Sequence, residues 1–266
     1  MGLEIIMSIT ISVTNQKGGV GKTTTAVNLA SSFAKRGIRT LLIDFDPQGH
    51  ATEHLGAREY SEKNQISVLN ILENKHLVTS NIMATYQPNL FLLPANLRLG
   101  LYNQNSPQGR QFNLKEAITP EVLEKFPIIL IDCQPSLSLL TLNALTAADY
   151  VLLPVQAEFL ALDGLSQLIV TLREVQTKLH AKLSVLGILL TMFDSRNRLS
   201  GEVYNELQKN FGKDLFASVI PRNVKLAEAP SFGKSIFDYD PNSSGAKSYD
   251  LLVDEILTKL NIVGNY

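Results

Sequence analysis

A glycine-rich stretch near the start of the chain carries the residues best suited to phosphate chemistry. It runs from Asn15 to Thr25 and reads N-Q-K-G-G-V-G-K-T-T-T. Glycines in such a loop let backbone N–H groups converge on phosphate oxygens, and the N-terminus of a following helix adds the positive end of its dipole. Lys22 would reach the β- and γ-phosphates of a nucleotide, and the Thr23 hydroxyl would coordinate Mg²⁺. The stretch therefore predicts a nucleotide-binding loop.

The elements on either side must position this loop, and their patterns fit. Ile9, Ile11 and Val13 alternate with hydroxyl residues, as in a β-strand, and a helical pattern begins near Ala26. Strand, glycine-rich turn and helix are the context that a phosphate-binding loop requires. A structural turn that is merely rich in glycine is the alternative. The Gly-Lys-Thr sequence that opens the helix argues against it.

Two later apolar runs end in aspartates. Residues 38–43 lead into Asp44 and Asp46, and residues 127–131 lead into Asp132. Open α/β sheets bind ligands at the carboxyl ends of their strands. Helix capping or turn formation would explain any one of these acids alone, but beside a phosphate-binding loop we favour a functional role. Asp132 has the Walker B form, in which the aspartate typically holds the Mg²⁺ shell.

The loop differs from the common pattern G-x-x-x-x-G-K-[ST], because Gln16 stands where that pattern begins with glycine. Lys17 is too far around the loop to serve the same phosphates as Lys22 without folding back, and is better placed to reach a nucleotide in another subunit. The loop resembles that of the deviant-Walker-A ATPases, the ParA/MinD family, which reads K-G-G-x-G-K-T-[TS]. The resemblance runs from Ser8 to about Leu260. It implies that Lys17 enters the partner's active site when two subunits sandwich two ATP molecules.

The same resemblance implies roles for the acids. The run L-L-I-D-F-D-P-Q-G, which contains Asp44 and Asp46, matches the family's second signature. It implies that Asp44 positions the attacking water and that Asp46 supports the metal shell. After the Walker B aspartate the family usually continues x-Pro-Pro-Ser, whereas this chain has Gln134 in place of the first proline. The implied catalytic residues are Lys17, Lys22 and Asp44, and the implied metal-supporting residues are Thr23, Asp46 and Asp132.

Residues 221–234 resemble the chromosome- and plasmid-partition branch of the family, in which a proline and an asparagine wall the adenine. Arg196 and Lys225 match basic positions that this branch uses to bind DNA. Residues 192–247 hold eight basic and seven acidic residues, so composition alone indicates only a solvated surface there. The implied nucleotide-binding residues are Lys17, Gly18, Gly19, Val20, Gly21, Lys22, Thr23, Thr24, Met192, Pro221 and Asn223.

Composition and patterning predict the fold class. Short apolar runs alternate with longer helical patterns, which predicts an α/β fold with a single-domain, doubly wound, mostly parallel sheet and helices on both faces, as in P-loop NTPases. The net charge of −1 gives no global attraction to nucleic acid, and the single cysteine, Cys133, excludes an internal disulfide and an iron–sulfur site. We expect residues 1–7 to be a leader and 8–266 one ATPase domain, with a last strand over 215–220 and a flexible loop over 103–109.

The phosphate-binding loop predicts a nucleotide site, and the resemblance implies a dimerising ATPase that uses ATP and Mg²⁺, binds DNA without sequence preference and positions a chromosome or plasmid. The resemblance implies a homodimer, slow hydrolysis stimulated by a ParB-like adaptor, and a cytoplasmic, nucleoid-associated location. A MinD-like membrane-associated ATPase is the alternative, and it needs a basic amphipathic C-terminal helix. Residues 249–260 carry three acids and one lysine, so we expect a core helix and no membrane partner. An ATP-dependent ligase on the same fold would need a substrate loop, and we locate none in the sequence.

Overall fold

A mostly parallel sheet forms the centre of the molecule. The computed structural model describes residues 8–103, 109–158 and 161–262. The strands of these residues are β1 (Ile9–Val13), β2 (Thr40–Phe45), β3 (Met83–Ala84), β4 (Leu90–Leu93), β5 (Ile128–Cys133), β6 (Tyr150–Gln156) and β7 (Ser184–Thr191). Their order across the sheet is β3-β4-β2-β5-β1-β6-β7, and only the β3–β4 pair is antiparallel.

Helices make the connections between the strands. The α-helices of the described residues are α1 (Lys22–Lys35), α2 (His50–His54), α3 (Arg58–Lys63), α4 (Val68–Glu73), α5 (Val78–Asn81), α6 (Asn113–Ala117), α7 (Pro120–Lys125), α8 (Leu139–Ala147), α9 (Ala161–Lys178), α10 (Arg198–Phe211), α11 (Val224–Glu228), α12 (Ile236–Tyr239) and α13 (Ser244–Lys259). Short 3₁₀ segments cover Lys75–Leu77, Leu97–Asn103, Arg110–Phe112 and Ala229–Phe232.

The sheet is buried on both faces. Successive residues of a strand point to opposite sides, so Ile11 and Leu130 join one apolar cluster with α1 and α13. On the other face Ile131 packs in a cluster with α4, α6 and α8, and Leu153 packs in a cluster with α9 and α10. The predicted α/β class, with a mostly parallel sheet and helices on both sides, is confirmed.

The prediction of a last strand over residues 215–220 is wrong. Only isolated bridges join this segment and its neighbours to β7 and the residues after it. The N–H groups of Ala217 and Ser218 instead donate to the carboxylate of Glu255 on α13, at 2.8 and 3.0 Å. Phe216 and Ile220 still donate their N–H groups to the Ile188 and Leu190 carbonyls of β7, at 2.9 Å each. Ser218 lies between them and its N–H would continue that ladder, but it donates to a side chain 37 residues away instead.

Helix α13 is part of the core, as predicted for residues 249–260. Its apolar side, including Leu252 and Ile256, is buried against the cluster that contains α1. Its acidic side carries Asp250 and Asp254, both of which pair with Arg36 at the end of α1. Within the described residues no helix has both the length and the apolarity to cross a bilayer. The predicted leader and most of the predicted flexible loop lie outside the described residues.

Candidate nucleotide site

The glycine-rich loop joins β1 to α1 and is fastened to neighbouring strands. Asn15 Nδ2 donates to the Pro154 carbonyl of β6 at 2.7 Å. The Thr191 hydroxyl, at the end of β7, donates to the Val20 carbonyl at 2.9 Å. Gly21, the residue before α1, has φ of 85°, in the left-handed region that a Cβ disfavours. Backbone geometry and long-range hydrogen bonds therefore hold the loop in one conformation.

Lys22 begins α1 with its side chain folded over the loop. Its Nζ donates to the Lys17 carbonyl at 2.9 Å, and the residue is only 7% exposed. Burial lowers the pKa of Lys22, while the nearby Asp132 and Asp46 oppose that shift. An ammonium group held between a loop carbonyl and acids is well placed to contact phosphate oxygens entering the loop.

A cavity of about 660 Å³ lies over the loop. Asp46 and His50, which follow β2, form part of its far wall together with Gln134 and Ser136, which follow β5. The Gln134 side chain donates to the hydroxyl of Ser138, the N-cap of α8. A side-chain hydrogen bond therefore steadies this wall at the position where the family usually has proline. The residues of the glycine-rich loop and α1 that line the cavity are Gly18, Gly19, Gly21, Lys22, Thr23 and Thr24.

A second cavity, of about 220 Å³, adjoins the first and shares lining residues with it. Both cavities are lined by Gly21, Thr24 and Met192. Pro221 and Asn223, predicted to wall the adenine, also line the smaller cavity. A larger space over the glycine-rich loop that adjoins a smaller, mainly apolar one matches the shape of a nucleotide, with phosphates in the first and base in the second.

Two wall residues of the smaller cavity have constrained conformations. Met192 has φ of 52°, in a region that residues other than glycine seldom adopt and that recurs at functional sites. Asn223 caps α11 by accepting from Lys225 N at 2.7 Å, and it donates through Nδ2 to Ser244 Oγ at 2.7 Å. The backbone conformation of Met192 and the hydrogen bonds of Asn223 therefore define this cavity before a nucleotide binds.

Asp44 and Asp132 lie side by side at the ends of β2 and β5, where they are register partners. Both are fully buried. Burial raises the pKa of each carboxyl, and the charge of Asp44 raises the pKa of Asp132 further, against a smaller opposing effect of the Thr23 hydroxyl. Neither oxygen of Asp132 has a hydrogen-bond partner among the described residues. A buried carboxylate of this kind is unfavourable unless a cation compensates it.

The donor set around Asp132 fits Mg²⁺. No group of three or more His, Cys, Asp or Glu side chains in the described ranges is arranged to hold a metal ion by itself. Mg²⁺ usually takes one or two protein carboxylates, with waters and substrate phosphates completing its shell. The unpartnered oxygens of Asp132 and the nearby Thr23 hydroxyl suit an ion that arrives with a nucleotide.

The geometry does not favour the role predicted for Asp44. Asp46 lines the phosphate cavity and Asp44 does not. Asp44 Oδ2 accepts from the backbone N and the hydroxyl of Thr52, at 2.8 and 2.7 Å, and Oδ1 accepts from Asp46 N at 3.2 Å. Because both oxygens of Asp44 are engaged behind the cavity wall, Asp46 is the better candidate to orient a water at the phosphates.

Lys17 lies outside both cavities. Its Nζ is 2.6 Å from Glu158 Oε2, and its side chain is 45% exposed. Val20 lines neither cavity and contributes its carbonyl to Thr191 instead. The structure describes one chain, so the entry of Lys17 into a second subunit stays a prediction.

The two basic residues predicted to bind DNA are each paired with an acid. Arg196 donates to both carboxylate oxygens of Asp194, at 3.0 and 2.9 Å. This pair lowers the pKa of Asp194 to about 2. Lys225 Nζ lies 2.9 Å from Glu228 Oε2. Both cations are therefore at the surface but partly neutralised.

Three residues that shape the site are not among those predicted from the sequence. Thr52 holds Asp44, Thr191 holds the loop carbonyl of Val20, and Glu158 holds Lys17. Thr191 is 171 residues from Val20, and Glu158 is 141 residues from Lys17, so no local sequence pattern could have predicted these two contacts. For Thr52, the spacing of eight residues after Asp44 at the start of a short helix was an available signal.

Comparison with known proteins gives similarity along almost the whole chain. Residues 8–185 match a family described as an AAA domain. The sporulation initiation inhibitor protein Soj of Bacillus subtilis (strain 168) is 48% identical over 248 residues, which cover 92% of this chain and 97% of that protein. The chromosome-partitioning ATPase Soj of Treponema pallidum (strain Nichols) is 43% identical over 255 residues, covering 95% and 98%.

The fold also matches solved structures. The cobyrinic acid a,c-diamide synthase from Mycobacterium smegmatis, crystallised with bound ADP and magnesium, superimposes with a TM-score of 0.82 and 34% sequence identity. The match covers 96% of each chain. That protein shares its fold with this chain, and its crystal structure contains a bound nucleotide and a bound metal ion.

Proposed function

Because the chain belongs to the Soj/ParA family of chromosome-partitioning ATPases, we propose that its ATP-bound dimer binds DNA without sequence preference and positions a chromosome or plasmid. The chain is an ATPase of the P-loop type that uses ATP and Mg²⁺. A ParB-like adaptor bound to the cargo would stimulate its slow hydrolysis, and the nucleoid would be its place of action.

One observation carries the nucleotide part of this proposal. The phosphate-sized and base-sized cavities share Gly21, Thr24 and Met192, so a single ligand can occupy both. Lys22 reaches over the first cavity, and Asn223 is fixed in the wall of the second. The two cavities therefore support binding of an intact nucleoside triphosphate.

The chain's own groups divide the work of hydrolysis. Asp132 and Thr23 would hold Mg²⁺, which when bound would neutralise charge on the phosphate oxygens. Lys22 would place its charge on the same oxygens. Asp46 would orient the attacking water, because it faces the phosphate cavity. Among the described residues only its Oδ1 accepts a hydrogen bond, from Gln48 N at 3.0 Å. Lys17 would act on the nucleotide of the partner subunit.

The membrane-associated alternative finds less support. It requires a C-terminal helix that can leave the protein and lie on lipid, yet α13 buries Tyr249, Leu252 and Ile256 in the core. It also presents Asp250 and Asp254 to Arg36. Releasing this helix would expose the core, and its acids would be repelled by anionic lipid.

The test compares binding partners with no nucleotide, with ADP and with ATP. Mass by light scattering reports dimerisation, and the same protein is titrated against duplex DNA and against vesicles that contain anionic lipid. We expect ATP alone to give a dimer that binds DNA and not vesicles. Vesicle binding on adding ATP would instead favour the membrane-associated function, and an ATP-bound protein that stays monomeric and ignores DNA would contradict the proposal.

Lys22→Ala tests whether the glycine-rich loop binds the nucleotide. We expect its nucleotide affinity to fall about 10–100-fold, because hydrogen bonds to charged groups contribute about 1.5–3 kcal/mol. Lys35→Ala is the matched control in the same helix, since Lys35 pairs with Asp238 at the other end of α1. Unchanged ATP binding in Lys22→Ala would contradict the assignment of the loop.

A further inference from the structure

The segment that follows β2 is closed on itself by one threonine. Thr52, in α2, donates its backbone N–H and its hydroxyl to the same oxygen of Asp44, Oδ2, at 2.8 and 2.7 Å. Thr52 is 1% exposed and Asp44 is fully buried. Asp44 therefore accepts one of the free N–H groups in the first turn of α2, that of Thr52, as capping carboxylates do. These contacts tie the two ends of residues 44–52 together.

Thr52 also fastens this segment to a different strand. Its hydroxyl accepts from Ala95 N, just after β4, at 3.0 Å. Gly49, the N-cap of α2, approaches the same residue so closely that a Cβ would lie 3.1 Å from the Ala95 carbonyl. One hydroxyl group thus spans the carboxyl ends of β2 and β4. If the Thr52 hydroxyl were removed, or if α2 moved away from β4, the Ala95 N–H would lose its hydrogen-bond acceptor.

Asp46 lies inside the closed segment, and its position depends on the closure. Asp46 N donates to Asp44 Oδ1 at 3.2 Å, and Asp46 Oδ1 accepts from Gln48 N at 3.0 Å. Arg58 donates to the carbonyls of Gln48 and Gly49 at 3.0 and 3.3 Å, which braces the outer side of the turn. The Asp46 carboxylate can face the phosphate cavity in one orientation because its backbone is fixed on both sides.

We propose that Thr52 is a positioning residue for ATP hydrolysis, which holds Asp44 and α2 so that Asp46 faces the phosphates. Thr52 lines neither cavity, so it acts through its contacts to Asp44 and Ala95, which fix the backbone of Asp46. The role rests on the proposed ATPase function of the site. A purely structural role would lower stability without a selective effect on the rate of hydrolysis.

Thr52→Val tests the role, because valine keeps the shape of threonine and removes the hydroxyl. We expect kcat to fall about 10–100-fold, as for other residues that orient groups at a metal site. The affinity for ADP measured in EDTA should change by less than about twofold, since the loop and base cavities are untouched. Thr52→Ser, which keeps the hydroxyl, should restore kcat to within about threefold of wild type.

Thr40→Val is the matched control. Thr40 is a fully buried threonine at the opposite end of β2, and its hydroxyl donates to the Ile38 carbonyl at 2.9 Å. It should lose stability with little change in kcat. Should Thr52→Val fail to fold, Thr52→Ala takes its place in the same comparison.

Amide hydrogen exchange in the nucleotide-free protein gives a readout that needs no turnover. Removing the hydroxyl should speed exchange at the amides of Asp46, Thr52 and Ala95, whereas Thr40→Val should leave them protected. Unchanged exchange and unchanged kcat in the Thr52 variants would overturn the inference, and so would equal losses of kcat in Thr52→Val and Thr52→Ser. If wild-type protein hydrolyses no ATP, the proposed function fails, while the exchange comparison still decides whether Thr52 fixes Asp46.

Discussion

Lys17 and Glu158 form an ion pair in which Nζ and Oε2 are 2.6 Å apart, and both side chains are nearly half exposed. The lysine proposed to act on a partner subunit is therefore held by an acid of its own chain. An exposed pair of this kind contributes little to stability, because water screens it and two long side chains must be ordered. The pair is thus weak enough to open when a second subunit offers phosphate oxygens.

Glu158→Gln should favour the ATP-dependent dimer. The substitution removes the competing carboxylate, so we expect the dimer dissociation constant with ATP to fall by up to about fivefold, the range of an exposed ion pair. Sedimentation equilibrium measures the change. Glu174→Gln is the matched control, since Glu174 forms an exposed pair with Lys178 elsewhere on the surface. Weaker dimerisation in Glu158→Gln would show that Glu158 itself supports the interface.

Lys17→Ala should bind ATP as a monomer and fail to dimerise. The Lys17 side chain lines neither cavity, so its loss should alter affinity for ADP by less than about threefold. Cations that act across an interface on phosphoryl groups are worth about 10³–10⁵ in rate, so hydrolysis should fall sharply as well. Light scattering with ATP and a turnover assay make the comparison. Normal dimerisation of this variant would remove the trans role of Lys17.

Asp46 and Asp44 should give different patterns when each is changed to alanine. Asp46→Ala should keep ATP affinity and lose about 10²–10⁴-fold in kcat, the range for a residue that assists proton transfer or orients water. Asp44→Ala leaves the Thr52 donors and Asp46 N without their acceptor, so it should also lower the melting temperature. Steady-state kinetics and thermal unfolding separate the two. Equal loss of stability in both variants would contradict the division of roles.

Much of this site could be predicted from the sequence because its phosphate-binding residues are contiguous in the chain. The glycines, Lys22 and Thr23 lie in one loop, and their spacing alone indicated a phosphate site. Asp44, Asp46 and Asp132 were found because parallel strands bring their carboxyl ends to one edge. What the sequence could not give was which of two aspartates, two residues apart, faces the ligand. That depends on Thr52 and Ala95, which lie 8 and 51 residues beyond Asp44.

The strand that failed to form has the same explanation. Residues 215–220 have the apolar character of a strand, but the Glu255 carboxylate takes the N–H groups of Ala217 and Ser218. Similarly, the ion pair between Lys17 and Glu158 was not predicted, because the two residues are 141 positions apart in the chain. Long-range polar contacts overrode local preference in each case, whereas the apolar patterns of β1, β2 and β5 agreed with the fold throughout.

Asp132→Asn should stabilise the nucleotide-free protein and abolish the effect of Mg²⁺ on nucleotide binding. The wild-type carboxylate is fully buried without a hydrogen-bond partner among the described residues, and the nearby Lys22 offsets its burial only in part, so neutralising it removes a poorly compensated charge. A gain of about 1 kcal/mol corresponds to about 2–4 °C in Tm for a domain of roughly this size. Calorimetry without nucleotide, and ADP titrations with Mg²⁺ or EDTA, make the measurement. A lower Tm together with intact Mg²⁺ dependence would argue against Asp132 as the metal ligand.

DNA binding should respond in opposite directions to Arg196 and to its acid partner. Arg196→Glu should weaken binding of the ATP dimer to unrelated duplexes alike. Asp194→Asn should strengthen DNA binding. In the wild-type protein the Asp194 carboxylate is bound to the Arg196 guanidinium, and this ion pair must break before Arg196 can contact a DNA phosphate. Lys178→Glu is the control, since Lys178 is an exposed, paired lysine at the end of α9, which runs back from the carboxyl edge of the sheet.

The salt dependence of duplex binding decides whether these effects come from phosphate contacts. Each neutralised phosphate contributes about −0.9 to the log–log slope, so losing Arg196 from both subunits of a dimer should make the slope shallower by about 1.8. Wild-type protein with ADP should show a shallower slope than with ATP, because a monomer presents half the contacts. Base sequence should matter little, since surface cations paired to Asp194 and Glu228 are suited to phosphates and read no base edges. Equal slopes with ATP and ADP would remove dimerisation as the switch, and an unchanged slope in Arg196→Glu would exclude Arg196 from the DNA-binding surface.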